Sequence, residues 1–390
     1  MAVTARDDLG FNDQLLYHHM AEGLADGRGY QIFGEPTLRW PPAYPFLLSL
    51  LYRVTGAEVT AALLLNAALS TAVVMATHWA LRPVLTAKAA LAAAAAMALL
   101  PGQWLFAGTV LTEPLSALQI LVVLGLAIRL PPGWPAAVPL GAAIGVAALT
   151  RGEGALLGLV VVAAWLPGRR LRDLLAPVAL TGAVALAVIA PWIARNSAVA
   201  GERTGLSLNF AETLYSGHNP TADGGATYAT SEVLAPAAST PFGPERELAN
   251  AALLQDLALT WAREHPREEL ALIPKRLLHL MEGDANVVSI WIEGGEEEAL
   301  GAWRTPVEVA ADVAWYAGLA LFAVTMVVRR RRLRRPWVPA VVVLPVLSLV
   351  LYGVLLYGNF RYRIPYQPLL ALLTAAAWWP RPAESVTAAS

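Results

Sequence analysis

Asp13 and Tyr17 stand four residues apart in the stretch FNDQLLYHHMAEGLADGRGY, and on a helix that spacing puts the acid and the phenol on neighbouring faces. Glu113 precedes Pro114 at the head of a long apolar run, Arg361 and Arg363 flank Tyr362, and Lys275, Arg151 and Trp40 lie in short polar stretches. A carboxylate can take a proton from an attacking hydroxyl, and a guanidinium or ammonium can hold an anion, the guanidinium as a two-pronged fork. Each residue also has a plainer use. An acid at a helix start satisfies free backbone N–H groups, proline suits the first helical position, and Arg and Tyr at a helix mouth anchor it at a membrane interface. By position alone Asp13 reads as a helix-start acid, so the choice between uses depends on the elements that carry these side chains.

Those elements are overwhelmingly apolar. Of 390 residues 57% are hydrophobic and only 15% charged, with mean hydropathy +0.52, against about 25% charged in a soluble domain. The composition predicts an all-α polytopic membrane protein. There is no cysteine, which removes disulfides and thiolate metal sites but leaves carboxylate and histidine sites open. Low lysine with abundant Ala, Arg, Pro and Gly suggests a GC-rich bacterial genome. The first residues, MAVTARDDLG, have neither the basic nor the apolar region of a secretory signal.

Nine apolar runs approach the roughly 20 residues needed to cross a bilayer: 57–80, 88–108, 110–129, 134–150, 153–168, 174–195, 307–328, 337–357 and 364–380. The pair 134–150 and 153–168, broken by TRGEG, could form a hairpin that does not fully span. With residues 1–56 placed outside, the inside loops carry Arg82 and Lys88, Arg129, Arg169, Arg170 and Arg172, the run RRRRLRR at Arg329–Arg335, and Arg381. The short outside turns carry only Arg151, Arg361 and Arg363, so every alternation obeys the positive-inside rule. The arginine run reads as a cytoplasmic anchor near anionic lipid rather than a nucleic-acid site. The expected division is an outside loop at 1–56, a first bundle of about six spans at 57–195, an outside domain at 196–306, three spans at 307–380, and an inside tail at 381–390. In this orientation either the first apolar helix inserts with its N-terminus outside or an earlier helix precedes it.

Within the first loop, Leu16, Met20 and Leu24 make an apolar stripe from Asp13 onward, DGRG ends the helix on glycine, and RWPPAYP is stiff and extended. Two short helices lying on the membrane and joined by that segment would hold Asp13 near its surface. The acid four residues before a tyrosine, then A..LADGRGY, then PPAYPFLLSLLYRVTG, resembles the first extracytoplasmic loop of the GT-C glycosyltransferases, among them members similar to dolichyl-phosphate-mannose–protein mannosyltransferases and aminoarabinose transferases (glycosyltransferase family 39-like). LTEPL at Leu111–Leu115 resembles the family's acidic second motif. The segment Ala190–Gly225 resembles its exit toward an outside domain, and YGNFRYRIPYQPLLALL at Tyr357–Leu373 resembles its Arg-Tyr-Arg motif. Members of that family ordinarily carry a transmembrane helix ahead of the acidic loop.

The resemblance implies a GT-C-like bundle in the inner (plasma) membrane, and transfer of a sugar from a polyprenyl-phosphate donor to an acceptor hydroxyl on a protein, glycan or lipid at the extracytoplasmic face. It implies Asp13 as general base, with Asp7 and Asp8 as weaker alternatives of wrong spacing, and Glu113 as a substrate or metal contact. Arg361, Arg363, Lys275 and Arg151 would then hold the donor phosphate, with Tyr17 beside the acid and Trp40 stacking on a sugar. Relatives differ in metal use. A divalent metal on Asp13, Glu113 and His218 stays open here, whereas His18 and His19 are consecutive and point about 100° apart. The competing functions are a lipid or solute transporter, which would show repeated halves with broken midplane helices, and a non-catalytic assembly partner of the same fold.

Overall fold

The structure, a computed structural model, describes residues 13–292 and 301–380. Asp7, Asp8 and the tail 381–390 lie outside the described residues. The chain is helical almost throughout. It opens with α1 (Asp13–Ala25) and α2 (Ala43–Thr55), between which a hairpin pairs β1 (Gln31–Ile32) antiparallel to β2 (Glu35–Pro36). The hairpin turns on Phe33 and Gly34, both at positive φ (51° and 89°). Glycine takes that conformation freely, whereas Phe33 takes it at a cost.

The apolar runs follow as α3 (Val59–Ala80), α4 (Ala87–Leu99), α5 (Pro101–Leu105), α6 (Glu113–Arg129), α7 (Trp134–Ala148), α8 (Leu157–Trp165) and α9 (Leu171–Ala200). A polar region holds α10 (Asn209–Gly217), α11 (Ser231–Leu234), α12 (Pro244–Glu264), α13 (Pro266–Leu280) and α14 (Asn286–Ile292). The chain ends in α15 (Arg304–Arg329), α16 (Val338–Val350) and α17 (Gln367–Trp378).

The nine apolar runs differ in length and continuity as helices. Among the described residues four helices have the length and apolarity to cross a membrane, those at Val59–Ala80, Leu171–Ala200, Gly301–Leu333 and Val338–Leu355. The run 88–108 bends by 58° between α4 and α5, at Pro101, which cannot donate to the preceding turn. The 134–168 region is two short helices joined by the 3-10 turn Gly152–Leu156.

Small residues let the first helices pack closely. A Cβ on Gly141 would lie 2.5 Å from the Thr181 carbonyl oxygen, and one on Gly145 would lie 2.6 Å from Val188 Cβ. The Gly-xxx-Gly spacing therefore lets α7 meet α9 backbone to backbone, as membrane helices do where no hydrophobic gain drives them together. One apolar core joins α3, α4, α6, α7, α8, α16 and α17. A second joins α1 and α2 to α3, to residues 105–115, and to Phe360 and Ile364, so the first loop is packed on the last turn of the chain.

The polar region grips that last turn through backbone contacts that only glycine permits. A Cβ on Gly358 would fall 1.8 Å from the Arg276 carbonyl oxygen, and one on Gly217 would fall 2.5 Å from that of Leu356. Arg276, 1% exposed, donates to the Gly217 and Val354 carbonyls at 2.7 and 2.9 Å and to Glu269 at 2.7 Å. His218 bridges Glu269 (2.9 Å) and the Leu355 carbonyl (2.8 Å). Burial pushes the Glu269 carboxyl up, but its bonds from His218 and Arg276 outweigh that and hold it below the ordinary carboxylate value.

Arg276→Ala leaves Glu269 with His218 alone and strands two carbonyls, and is expected to destabilise the detergent-solubilised protein by about 3 kcal/mol, read as a fall in melting temperature. Because the Glu269 pKa is depressed by folding, its stabilisation is complete above the unfolded carboxylate value and is lost as pH falls through the folded one. Glu269→Gln is therefore expected to flatten the acid side of the melting-temperature profile below about pH 5.

Candidate active site

The site forms where three distant pieces of chain meet. α1 begins with Asp13, and the buried Gln14 beside it accepts a hydrogen bond from the Val110 N–H at 3.0 Å, which ties the helix start to the stretch before α6. That stretch is clamped from the other side. Asn66, wholly buried in α3, donates to the Thr109 and Leu111 carbonyls at 2.5 and 2.9 Å and accepts from the Tyr44 hydroxyl at 3.2 Å. Glu113 then opens α6 with no solvent exposure. The third piece is the 3-10 turn Phe360–Tyr366, whose Asn359 side chain caps it by accepting from the Arg361 N–H at 2.9 Å.

Arg361 joins the three. Its Nε donates to Glu113 Oε1 at 2.8 Å and its Nη1 to Asp13 Oδ2 at 3.0 Å. Glu113 also meets Arg151 at 3.4 Å; Arg151 pairs with Glu153 at 2.7 Å, and Glu153 accepts from the Tyr352 hydroxyl at 2.9 Å. Tyr352 stacks on Tyr362 (3.9 Å between centroids), whose hydroxyl reaches that of Tyr357 at 2.6 Å. The paired carboxylates raise the Arg361 pKa further above its already high value, against the opposing effect of burial.

In front of this network lies a cavity of 460 Å³ lined by Asp13, Tyr17, Trp40, Arg151, Glu153 and Arg361, with Arg39, Glu212 and Tyr228 on the wall. Its size is that of a small-molecule site. Tyr17 packs edge-on against Trp40 and Tyr44, at 6.2 and 5.4 Å, and burial and the neighbouring Asp13 push its phenol well above the usual range. Arg39 lies 4.2 Å over the Trp40 ring and pairs with Glu212 at 2.6 Å. Burial raises the Glu212 carboxyl.

A family model described as dolichyl-phosphate-mannose-protein mannosyltransferase matches residues 39–194, which carry Trp40, Glu113 and Arg151. By fold, the oligosaccharyltransferase of Archaeoglobus fulgidus tethered to an acceptor peptide is similar over 96% of this chain and 46% of its own, at 14% identity and TM-score 0.53. The same organism's oligosaccharyltransferase AglB, solved with an inhibitory peptide and a dolichol-phosphate, is similar over 96% and 47%, at 17% identity and TM-score 0.51. ArnT from Cupriavidus metallidurans, solved with undecaprenyl phosphate, is similar over 95% and 74%, at 17% identity and TM-score 0.48. The chain spans about half the length of the oligosaccharyltransferase it matches. No curated protein matches the sequence.

Over residues 39–194 the chain matches that mannosyltransferase family model, and its fold is similar to that of the oligosaccharyltransferase.

Within this fold Asp13, Tyr17, Trp40, Arg151 and Arg361 line the cavity, and Glu113, Arg363 and Lys275 do not. Glu113 is absent from the cavity wall and accepts from the Nε of Arg361, which itself faces the cavity. Arg363 points the opposite way from Arg361, into an ion pair with Asp284 at 2.7 Å and over the Trp315 ring at 3.5 Å. Lys275 is on the exposed face of α13 away from the cavity, and its neighbour Arg276 is the buried one.

His218 is engaged with Glu269, so it does not join Asp13 and Glu113. Among the described residues no group of three or more His, Asp or Glu side chains is arranged to hold a metal, and the two acids share a guanidinium instead. Four wall residues carry no sequence signal of their own: Arg39, Glu153, Glu212 and Tyr352. For Glu153, only its place beside Arg151 in TRGEG hinted at a role.

Because Glu113 is buried against Arg361, Arg361→Leu is expected to cost about 3 kcal/mol by leaving that charge only its longer contact to Arg151. Arg361→Leu with Glu113→Leu is expected to recover most of the loss. Thermal melts of the two single variants and the pair in detergent form the double-mutant cycle that measures this coupling.

Proposed function

We propose that the protein is a membrane glycosyltransferase that moves a sugar from a polyprenyl-phosphate donor to an acceptor hydroxyl at the extracytoplasmic face. The observation that carries this reading is the Asp13 carboxylate, at the edge of the cavity and held 3.0 Å from a guanidinium that itself faces the cavity. The family model and the fold support the reaction class. The solved AglB complex with a dolichol-phosphate supports a lipid-phosphate ligand for this architecture. The distribution of basic residues supports an outside cavity, with residues 1–56 and 196–306 on that side.

In this mechanism Asp13 accepts the acceptor's hydroxyl proton as the oxygen attacks the anomeric carbon from the face opposite the phosphate. The bond between the anomeric carbon and the phosphate oxygen breaks, and its electron pair leaves with the phosphate. Arg361, which uses two of its five N–H donors on Asp13 and Glu113, has others to offer the developing phosphate charge, with Arg151 alongside. Glu113 and Glu153 hold the two guanidiniums in place. Tyr17 and Trp40 supply the apolar wall against which a sugar ring can lie.

Asp13→Asn removes the base and keeps the shape of a side chain that is 39% exposed, so folding is expected to be unaffected while transfer falls by roughly 10²–10⁴. The measurement uses membranes containing wild type or variant and a radiolabelled polyprenyl-phosphate sugar, following label into a new product bond. Equal transfer by the variant would overturn the base assignment, and label crossing vesicles without entering a bond would favour a transporter.

A further inference from the structure

A second cavity is lined by a different set of helices. Between α4, α15 and α17 runs an apolar groove of 520 Å³ that shares no lining residue with the polar cavity. Its walls include Ala96, Leu99, Leu319, Phe322, Leu370 and Ala371. Gly318 leaves the groove open along α15, because a Cβ there would meet only Leu100 Cδ2, at 3.9 Å. Trp315 and Gln367 line one end, on the side of the Arg363–Asp284 pair.

Trp378 and Trp379 line the other end. There the Arg329 guanidinium lies 4.6 Å over the Trp378 ring, and its Nε is buried without an acceptor among the described residues. The chain then turns through the 3-10 segment Arg330–Leu333, which leaves Arg330, Arg331 and Arg332 exposed. None of the three pairs with an acid among the described residues. A hydrocarbon slot thus ends in a cluster of guanidiniums, one of which has a donor without a partner.

We propose that groove and turn form one binding site for an anionic phospholipid, with an acyl chain in the groove and the phosphate on Arg329 and the Arg330–Arg332 turn. The proposal does not depend on the catalytic reading. In a bilayer the groove exchanges one hydrocarbon for another, so the chain adds shape and residence time while the headgroup charge supplies the preference. The donor lipid is a poorer fit, because the arginine turn lies about 21 Å along the helix from Trp315, the residue that packs on Arg363 toward the polar cavity.

The test uses the full chain purified in neutral detergent and incubated with equal amounts of phosphatidylglycerol, phosphatidylcholine and undecaprenyl phosphate, with retained lipid counted by native mass spectrometry. Wild type is expected to retain phosphatidylglycerol over the other two. Combined Arg330→Gln, Arg331→Gln and Arg332→Gln is expected to weaken that retention roughly fivefold per arginine removed. Gly318→Phe fills the groove and is expected to abolish retention with an unchanged melting temperature; Gly318→Leu replaces it if the larger ring unfolds the protein. Equal retention of phosphatidylcholine, a groove-filled variant that still holds phosphatidylglycerol, or displacement by undecaprenyl phosphate would each overturn the proposal.

Discussion

Glu113 is a carboxylate with no access to water at the head of an apolar helix, and the architecture around it supplies the cation such a group requires. An unpaired charge in such a place costs several kcal/mol and is tolerated only with a partner of good geometry. Arg361 is that partner, and because it also holds Asp13 it fixes the relative position of residues 13, 113 and 361. Three segments far apart in sequence, with 248 and 348 positions between Arg361 and its two acids, are thus tied by one planar guanidinium, a role that the point charge of a lysine would not fill in the same way.

The surrounding structure keeps that bridge in register. Apolar helices in lipid have little to gain from one another beyond packing, so directional contacts fall to a few buried polar groups and close glycine approaches. Asn66 and Gln14 pin the chain before Glu113, while Arg276, His218 and Glu269 pin the chain before Arg361. Gly217 and Gly358 allow the two backbones of that second clamp to meet. The polar helices between α9 and α15 therefore act on the site without lining most of it, by holding the segment from which Arg361 projects.

Much of the site was legible by residue type. Asp13 and Tyr17, four apart on a short helix, and Arg151 and Arg361 in turns between apolar runs stood out because ionisable groups are scarce in such a chain. What could not be read was direction. On a 3-10 turn side chains two apart diverge by roughly 120°, so Arg361 faces the cavity while Arg363 turns into the protein. On α13 the 100° step between neighbours sends Arg276 inward and leaves Lys275 outside. Deciding which of each pair is inside requires the neighbouring helices. The same holds for Arg39 and Glu212, which meet across 173 positions of sequence and carry no local motif.

Composition and the placement of basic residues determined the class of molecule, because burying so much hydrocarbon with so little charge has few solutions. Local spacing determined that an acidic loop opens the chain, since helix caps and prolines act within a few residues. Only the tertiary structure decided that Glu113 lies behind Arg361 and off the cavity wall, that Arg363 and Lys275 face elsewhere, and that a separate apolar groove ends near Arg329. Those outcomes depend on which side chains meet across long stretches of chain, and that is set by packing between helices, which no local pattern encodes.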